Sequence, residues 1–202
     1  LDNAEKFSPA THTPGENAST LIYACSAMDF LAIDRERYEI VAVTGNSMGW
    51  YTALWCGGAL DDAAGFDVVH TMGSMMKAGV IGGQLIYPVV GEDWRLDFER
   101  LGTVERALAS VAGVPGAEAY VSIRFGGYVV IGGNEAGLSY LMKALPKVDD
   151  DRYPFQLLNH AAFHTPLLRE TSERAFAALG PELFRKPRYP MVDGRGVIWQ
   201  PY

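Results

Sequence analysis

Ile40-Val41-Ala42-Val43-Thr44-Gly45-Asn46-Ser47-Met48-Gly49-Trp50-Tyr51-Thr52-Ala53-Leu54-Trp55-Cys56 decides the fold class of this chain. Its first five residues are a short apolar, β-branched run of the kind that predicts a fully buried, parallel strand. Gly45–Gly49 reads as a tight turn and residues 50–56 as a helix, stopped by the Gly57-Gly58 pair. A Gly-x-Ser-x-Gly pentapeptide between a buried strand and a helix is a nucleophile elbow. Glycines on either side of the serine let the chain turn sharply enough to lift the Ser47 hydroxyl above the sheet edge. Ser47 then lies at a helix N-terminus, where free backbone N–H groups and the helix dipole stabilise an oxyanion, with the Met48 N–H the expected donor. That arrangement suits acyl transfer. With 22 glycines in the chain the pentapeptide can arise by chance, and its strand-before, helix-after context is what argues against chance.

Outward from the elbow, Asp61 predicts the cap of a further helix in which Ala64, Val68, Met72 and Met76 recur every fourth residue, ending near Gly79. Residues 84–158 change rhythm: strand 84–90, helix 98–112, strands 118–124 and 128–131, helix 135–144, strand 153–158. This βαββαβ order matches a ferredoxin-like unit inserted between two parts of an α/β domain, residues 1–83 and 159–202. The closing part holds a histidine-bearing loop, a helix over about 166–179, a strand at 189–192 and a turn at 193–196. Upstream, residues 1–16 read as loop, about 18–33 as a helix capped by Asn17 or Ser19, and 34–39 as a charged loop.

The 202 residues carry 24 acidic and 17 basic side chains, a net charge of −7, with 49% apolar and 20% charged content, which excludes low-complexity disorder for most of the chain. Without a basic cluster, neither a nucleic-acid nor a membrane partner is expected. No apolar run reaches the ~18 residues of a membrane span, and the first residues lack the order of a signal peptide. Cys25 and Cys56 are the only cysteines and form no C-x-x-C pair, so the expected compartment is the cytoplasm. The chain opens on Leu1, and a fragment is expected.

A serine nucleophile needs a base, and the histidines are His12, His70, His160 and His164. His12 lies in a predicted loop and His70 in mid-helix, where a solvated or packed role is the ordinary one. His160 and His164 follow the last strand of the inserted unit, and spacing does not choose between them.

The stretch Gly45-Asn46-Ser47-Met48-Gly49-Trp50-Tyr51-Thr52-Ala53-Leu54 resembles the Gly-His-Ser-x-Gly-Glu-Tyr-x-Ala-Leu elbow of malonyl-CoA:acyl-carrier-protein transacylases. Phe163-His164-Thr165-Pro166-Leu167-Leu168 resembles that family's Phe-His-Ser-x-Leu-Met histidine motif, and Val129-Val130-Ile131-Gly132-Gly133 its small-subdomain strand. The resemblance implies an α/β hydrolase-like core with an inserted ferredoxin-like subdomain. It implies Ser47 as nucleophile and His164 as base in a ping-pong transfer from acyl-CoA, through an acyl-serine ester, to an acyl carrier protein in fatty-acid or polyketide synthesis. No metal and no tightly bound cofactor is implied.

Departures from the family pattern bear on substrate. Met72 stands where the family's carboxylate-binding arginine falls, and a thioether cannot pair with a malonyl carboxylate. Asn46 replaces the usual His and Trp50 the usual Glu or Gln, making a bulkier, more apolar pocket. Arg124, where the family has an Asn-bearing strand end, is the candidate substitute cation. His160 falls where the family has a small residue. The family's opening Gly-Gln-Gly strand and its histidine-orienting closing segment have no counterpart, so the chain is expected to be incomplete at both ends. An acyl-carrier-protein hydrolase on the same scaffold is the alternative expectation.

Overall fold

The computed structural model describes residues 5–77 and 79–201. The first four residues of the predicted N-terminal loop, Ala78 in the predicted helix end and Tyr202 lie outside the described residues. In chain order the elements are α1 (Pro9–His12), α2 (Gly15–Leu31), β1 (Val43–Thr44), α3 (Met48–Cys56) and α4 (Asp62–Ser74). There follow β2 (Gly83–Pro88), α5 (Phe98–Val111), β3 (Ala119–Phe125), β4 (Tyr128–Gly133), α6 (Glu135–Ala144) and β5 (Phe155–Leu157). A 3₁₀ turn, Pro166–Leu168, leads into α7 (Arg169–Ala178), and β6 (Met191–Val192) and β7 (Ile198–Trp199) close the chain. Among the described residues no helix is long and apolar enough to cross a membrane.

The chain divides into two compact units, one of residues up to 77 together with 173 onward, the other of residues 78–172. The histidine-bearing loop groups with the second unit, whereas the sequence predicts it to belong with residues 1–83. The cause is local: Ala161 and Ala162 are almost fully buried, and the Ala162 N–H donates to the Ile81 carbonyl at 2.8 Å.

In the first unit, β1 pairs in parallel with β6, which pairs antiparallel with β7. The expected five-residue buried strand is only two residues long, and Val41 is 74% exposed. Among the described residues β1 pairs along one edge only, with β6, where a fully buried strand pairs along both. A groove of about 630 Å³, lined in part by Ile22, Phe30, Ile40, Val43, Met48 and Cys56, runs along this segment. The predicted N-terminal loop is instead α1 and the start of α2, which begins after Pro14 with no side-chain cap. Neither Asn17 nor Ser19 caps it. Trp55 of α3 meets Tyr23 and Phe30 of α2 edge-on at 5.8 Å and donates its Nε1–H to Asp62 of α4 at 2.9 Å. Desolvation pushes the Tyr23 hydroxyl up to about 12. Asp61 caps α4 as expected, accepting from the Ala64 N–H at 2.8 Å, and its carboxylate also pairs with Arg185. Leu60, Ala64 and Val68 form a buried cluster to which Met72, Leu179 and Leu183 add.

The second unit runs β2-α5-β3-β4-α6-β5, and its sheet has the strand order β3-β4-β2-β5 with every neighbouring pair antiparallel. Asp97 and Asn134 cap α5 and α6. One face of the sheet and both helices bury Leu85, Tyr87, Val104, Val129, Ile131 and Leu141. Each such side chain, taken out of water, contributes about 1.5–3 kcal/mol.

Candidate active site

Ser47 is the N-cap of α3 and holds φ 53, ψ −121, a combination that side chains other than glycine rarely adopt. Such a residue stores on the order of 1–3 kcal/mol of strain, and strain of this kind clusters at functional sites. What permits the turn is Gly45: a Cβ there would run into the Gly49 carbonyl and stand 2.7 Å from the Trp50 amide nitrogen. The second glycine of the pentapeptide differs from expectation. A Cβ on Gly49 would meet nothing within 4 Å, because Gly49 is already inside α3 and its Cα–Cβ direction is open.

The first-turn donors are apportioned. Gly49 N–H donates to Asn46 O and Trp50 N–H to Ser47 O, both at 2.9 Å. Met48 is the first residue of α3, so its N–H has no acceptor within the helix. Asn46 is exposed, and Trp50 is half-buried against Ala53, Ala59 and Met191. Met72 lies on α4, half-buried against Leu60, Ala64 and Val68, so its thioether belongs to an apolar cluster.

Phe163, His164 and Arg124 belong to the second unit, and Ser47, Met48, Asn46, Trp50 and Met72 to the first. His164 has φ 57, one of seven non-glycine residues among those described that hold a positive φ. Its loop is pinned closely: Ala162 N–H to Ile81 O at 2.8 Å, Thr165 Oγ1–H to Ala162 O at 2.6 Å, and Ser122 Oγ–H to Phe163 O at 2.8 Å. The loop lies directly on β4, since a Cβ on Gly132 would stand 2.7 Å from the Thr165 methyl and 3.4 Å from the Ala162 Cα. His164 retains a large accessible area, yet enough protein surrounds the ring that desolvation holds its pKa below the ordinary 6.5. The same cause lowers His160, whose ring meets Phe163 edge-on at 6.1 Å.

The other histidines sit elsewhere. His12 is in α1, not a loop, with Nδ1 2.8 Å from the Ser8 carbonyl and its ring stacked on Phe7. His70 stacks on Phe66 on the exposed side of α4. Arg124 is exposed on β3, the outer strand of its sheet, opposite Val129. Two polar residues that sequence reasoning did not single out join the histidine loop: Gln84 donates its Nε2–H to Ser122 Oγ at 2.7 Å and holds His160 Nδ1 at 2.9 Å through its Oε1. The only signal for Gln84 was an amide in an otherwise apolar strand.

The mixed α/β fold is that of the malonyl-CoA:acyl-carrier-protein transacylases. The transacylase of Synechocystis sp. PCC 6803 superposes with a TM-score of 0.73 at 20% identity, over 92% of this chain and 58% of that one. A malonyl-transacylase solved in complex with its type II polyketide synthase acyl-carrier protein gives 0.73 at 21% identity, over 96% and 60%. The acyltransferase domain of an iterative polyketide synthase in enediyne biosynthesis gives 0.70 at 22% identity, over 94% and 47%. This chain thus spans less than two thirds of the length of each. No family model matches the sequence, and no curated protein matches it.

Proposed function

We propose that this chain works as an acyltransferase of the malonyl-CoA:acyl-carrier-protein transacylase type, acting in fatty-acid or polyketide synthesis in the cytoplasm. In this reading the first unit is part of an α/β hydrolase-like core and the second a ferredoxin-like insert. The observation that carries the proposal is Ser47 itself, held at φ 53 on the N-terminus of a helix that follows a strand. In a fold shared with transacylases, that backbone presents a hydroxyl beside a helix-terminal N–H.

Ser47 Oγ attacks the thioester carbonyl of an acyl-CoA while His164, neutral at pH 7 because its pKa lies below 6.5, takes the proton. The Met48 N–H receives the developing oxyanion. Collapse expels CoA as a thiol, with the proton returned by His164, and leaves the acyl group on Ser47 as an ester. The phosphopantetheine thiol of an acyl carrier protein then gives its proton to His164 and attacks the ester, restoring the Ser47 hydroxyl. The mechanism calls on no metal or redox cofactor, acyl-CoA being the substrate.

Asn46, Trp50 and Phe163 are proposed to line the acyl site. Met72 in its apolar cluster favours an uncharged acyl group, since a buried carboxylate without a partner costs about 3–5 kcal/mol. Arg124 is the cation to which a malonyl carboxylate would turn. The test is intact-mass detection of acyl-Ser47 in the full-length protein mixed with malonyl-, acetyl- and longer acyl-CoA, with Ser47→Ala as control. Acetyl or longer loading is expected over malonyl, followed by transfer to carrier protein. No adduct with any thioester overturns the enzyme reading, and ester loss as fast in water alone as with carrier protein replaces transfer by hydrolysis.

A further inference from the structure

Gln84 is the most deeply buried of the polar side chains in the described core, 3% exposed in a strand whose other residues are apolar. A primary amide is kept in such surroundings only when its hydrogen bonds are made. Its Nε2 donates to Ser122 Oγ at 2.7 Å and, at 3.4 Å, to the Phe163 carbonyl, while Oε1 stands 2.9 Å from His160 Nδ1. Ser122 Oγ donates its own proton to the Phe163 carbonyl at 2.8 Å. Donors and acceptors balance in one direction only. A hydroxyl that gives its proton to a carbonyl accepts from the amide, so the amide oxygen faces His160 and the ring proton sits on Nδ1.

Ser122 reaches that carbonyl because β3 is irregular at this point. The register passes from Val121 opposite Ile131 to Ile123 opposite Val130, leaving Ser122 as the extra residue of a bulge, a device that re-aims a side chain. The carbonyl held by Ser122 and Gln84 belongs to the residue directly before His164, whose φ of 57 needs such support. His160, at a position small in the family the chain resembles, completes the set.

We propose that Gln84 is a positioning residue for the acyl-transfer reaction: with Ser122 it fixes the Phe163 carbonyl, and so the backbone from which His164 presents its imidazole, while His160 fixes the orientation of the Gln84 amide. The inference rests on His164 being the base, as proposed above.

The test compares Gln84→Met, which keeps the volume and removes the hydrogen bonds, with Ser122→Ala, Ser122→Thr and His164→Ala in the full-length protein. The acyl donor is p-nitrophenyl acetate, whose acylation of Ser47 requires no recognition of CoA, and the rate is followed by intact mass against concentration and pH. Gln84→Met and Ser122→Ala are expected to lose about 10- to 100-fold in maximal acylation rate, the range for removing an orienting partner, with KM within about twofold. Ser122→Thr, which keeps the hydroxyl, is expected to retain most of the rate. In the slowed variants the acid limb of the pH profile moves up toward 6.5, as the loosened ring gains water. If Gln84→Met does not fold, the contrast between Ser122→Ala and Ser122→Thr decides. Wild-type rates and an unmoved acid limb in Ser122→Ala and any folded Gln84→Met, with His164→Ala inactive, overturn the positioning role and leave the base assignment standing. Normal acylation by His164→Ala overturns the base assignment itself, and the positioning role with it.

Discussion

Ser47 and His164 both sit in the left-handed region of backbone space, and neither is a glycine. At Ser47 the strain is made possible by the residue two positions earlier, and the two glycines of the elbow are not equivalent. Gly45→Ala is expected to destabilise the protein by about 2 kcal/mol or more and to abolish acylation, because its Cβ meets backbone that cannot retreat without undoing the first turn of α3. Gly49→Ala, which meets nothing and lies within a helix, is expected to be neutral or to stabilise by up to about 1 kcal/mol. Urea unfolding of the two variants checks both, and equal losses would refute the asymmetry. The histidines add a pH dependence with a definite sign. His160 and His164 titrate below 6.5 in the fold, so just under that value the unfolded chain binds more protons than the folded one. Their contribution is fully present above 6.5 and is lost as pH falls through the window beneath it. The urea midpoint is expected to drop between pH 7.5 and pH 5.5, and to drop less in His160→Gln/His164→Gln; a wild-type midpoint that stays level would contradict this.

Among the elements, α5 and α6 lie within a residue of where the sequence placed them, since cap, periodicity and stop are all local signals. Asp97 accepts from the Glu99 and Arg100 N–H groups at 3.0 Å, and Asn134 from the Gly137 N–H at 2.9 Å. Asn134 does more than cap: its Oδ1 also takes the Glu118 N–H at 3.0 Å, and its Nδ2–H donates to the Gly116 carbonyl at 2.8 Å, tying α6 to the chain entering β3. Asn134→Ala is therefore expected to cost about 2 kcal/mol, against about 1 kcal/mol for Asp97→Ala. Chemical denaturation measures the difference, and equal costs would leave the tie without weight. The local signals failed at β1 and at the start of α2. A β-branched run forms a fully buried strand where neighbours pair along both edges, and among the described residues β1 pairs along one. Polar residues after Pro14 looked like a loop until α4 supplied a surface for the first turns of α2 to pack on.

At the scale of the whole molecule the two units differ in how they are held. The second has a contiguous core under a four-stranded sheet, built from one uninterrupted stretch of chain. The first is assembled from two separate stretches around small buried clusters. A fragment of residues 78–172 is accordingly expected to fold by itself and to melt cooperatively by circular dichroism, while residues 1–77 alone are not. A non-cooperative melt of the 78–172 fragment would show that its core depends on the rest of the chain.

The elbow, the capped helices and the order of the insert were legible in the sequence because each depends on residues within a few positions of one another: a glycine two before a serine, an aspartate three before an N–H, apolar side chains every fourth residue. Gln84 and Ser122, and the choice of which carbonyl they hold, were not. Their bonds join residues 38, 41, 76 and 79 positions apart, and no local preference specifies which distant groups a buried amide meets. Only the pairing of β2 with β4, the bulge in β3 and the descent of the histidine loop onto Gly132 bring those groups within hydrogen-bonding distance.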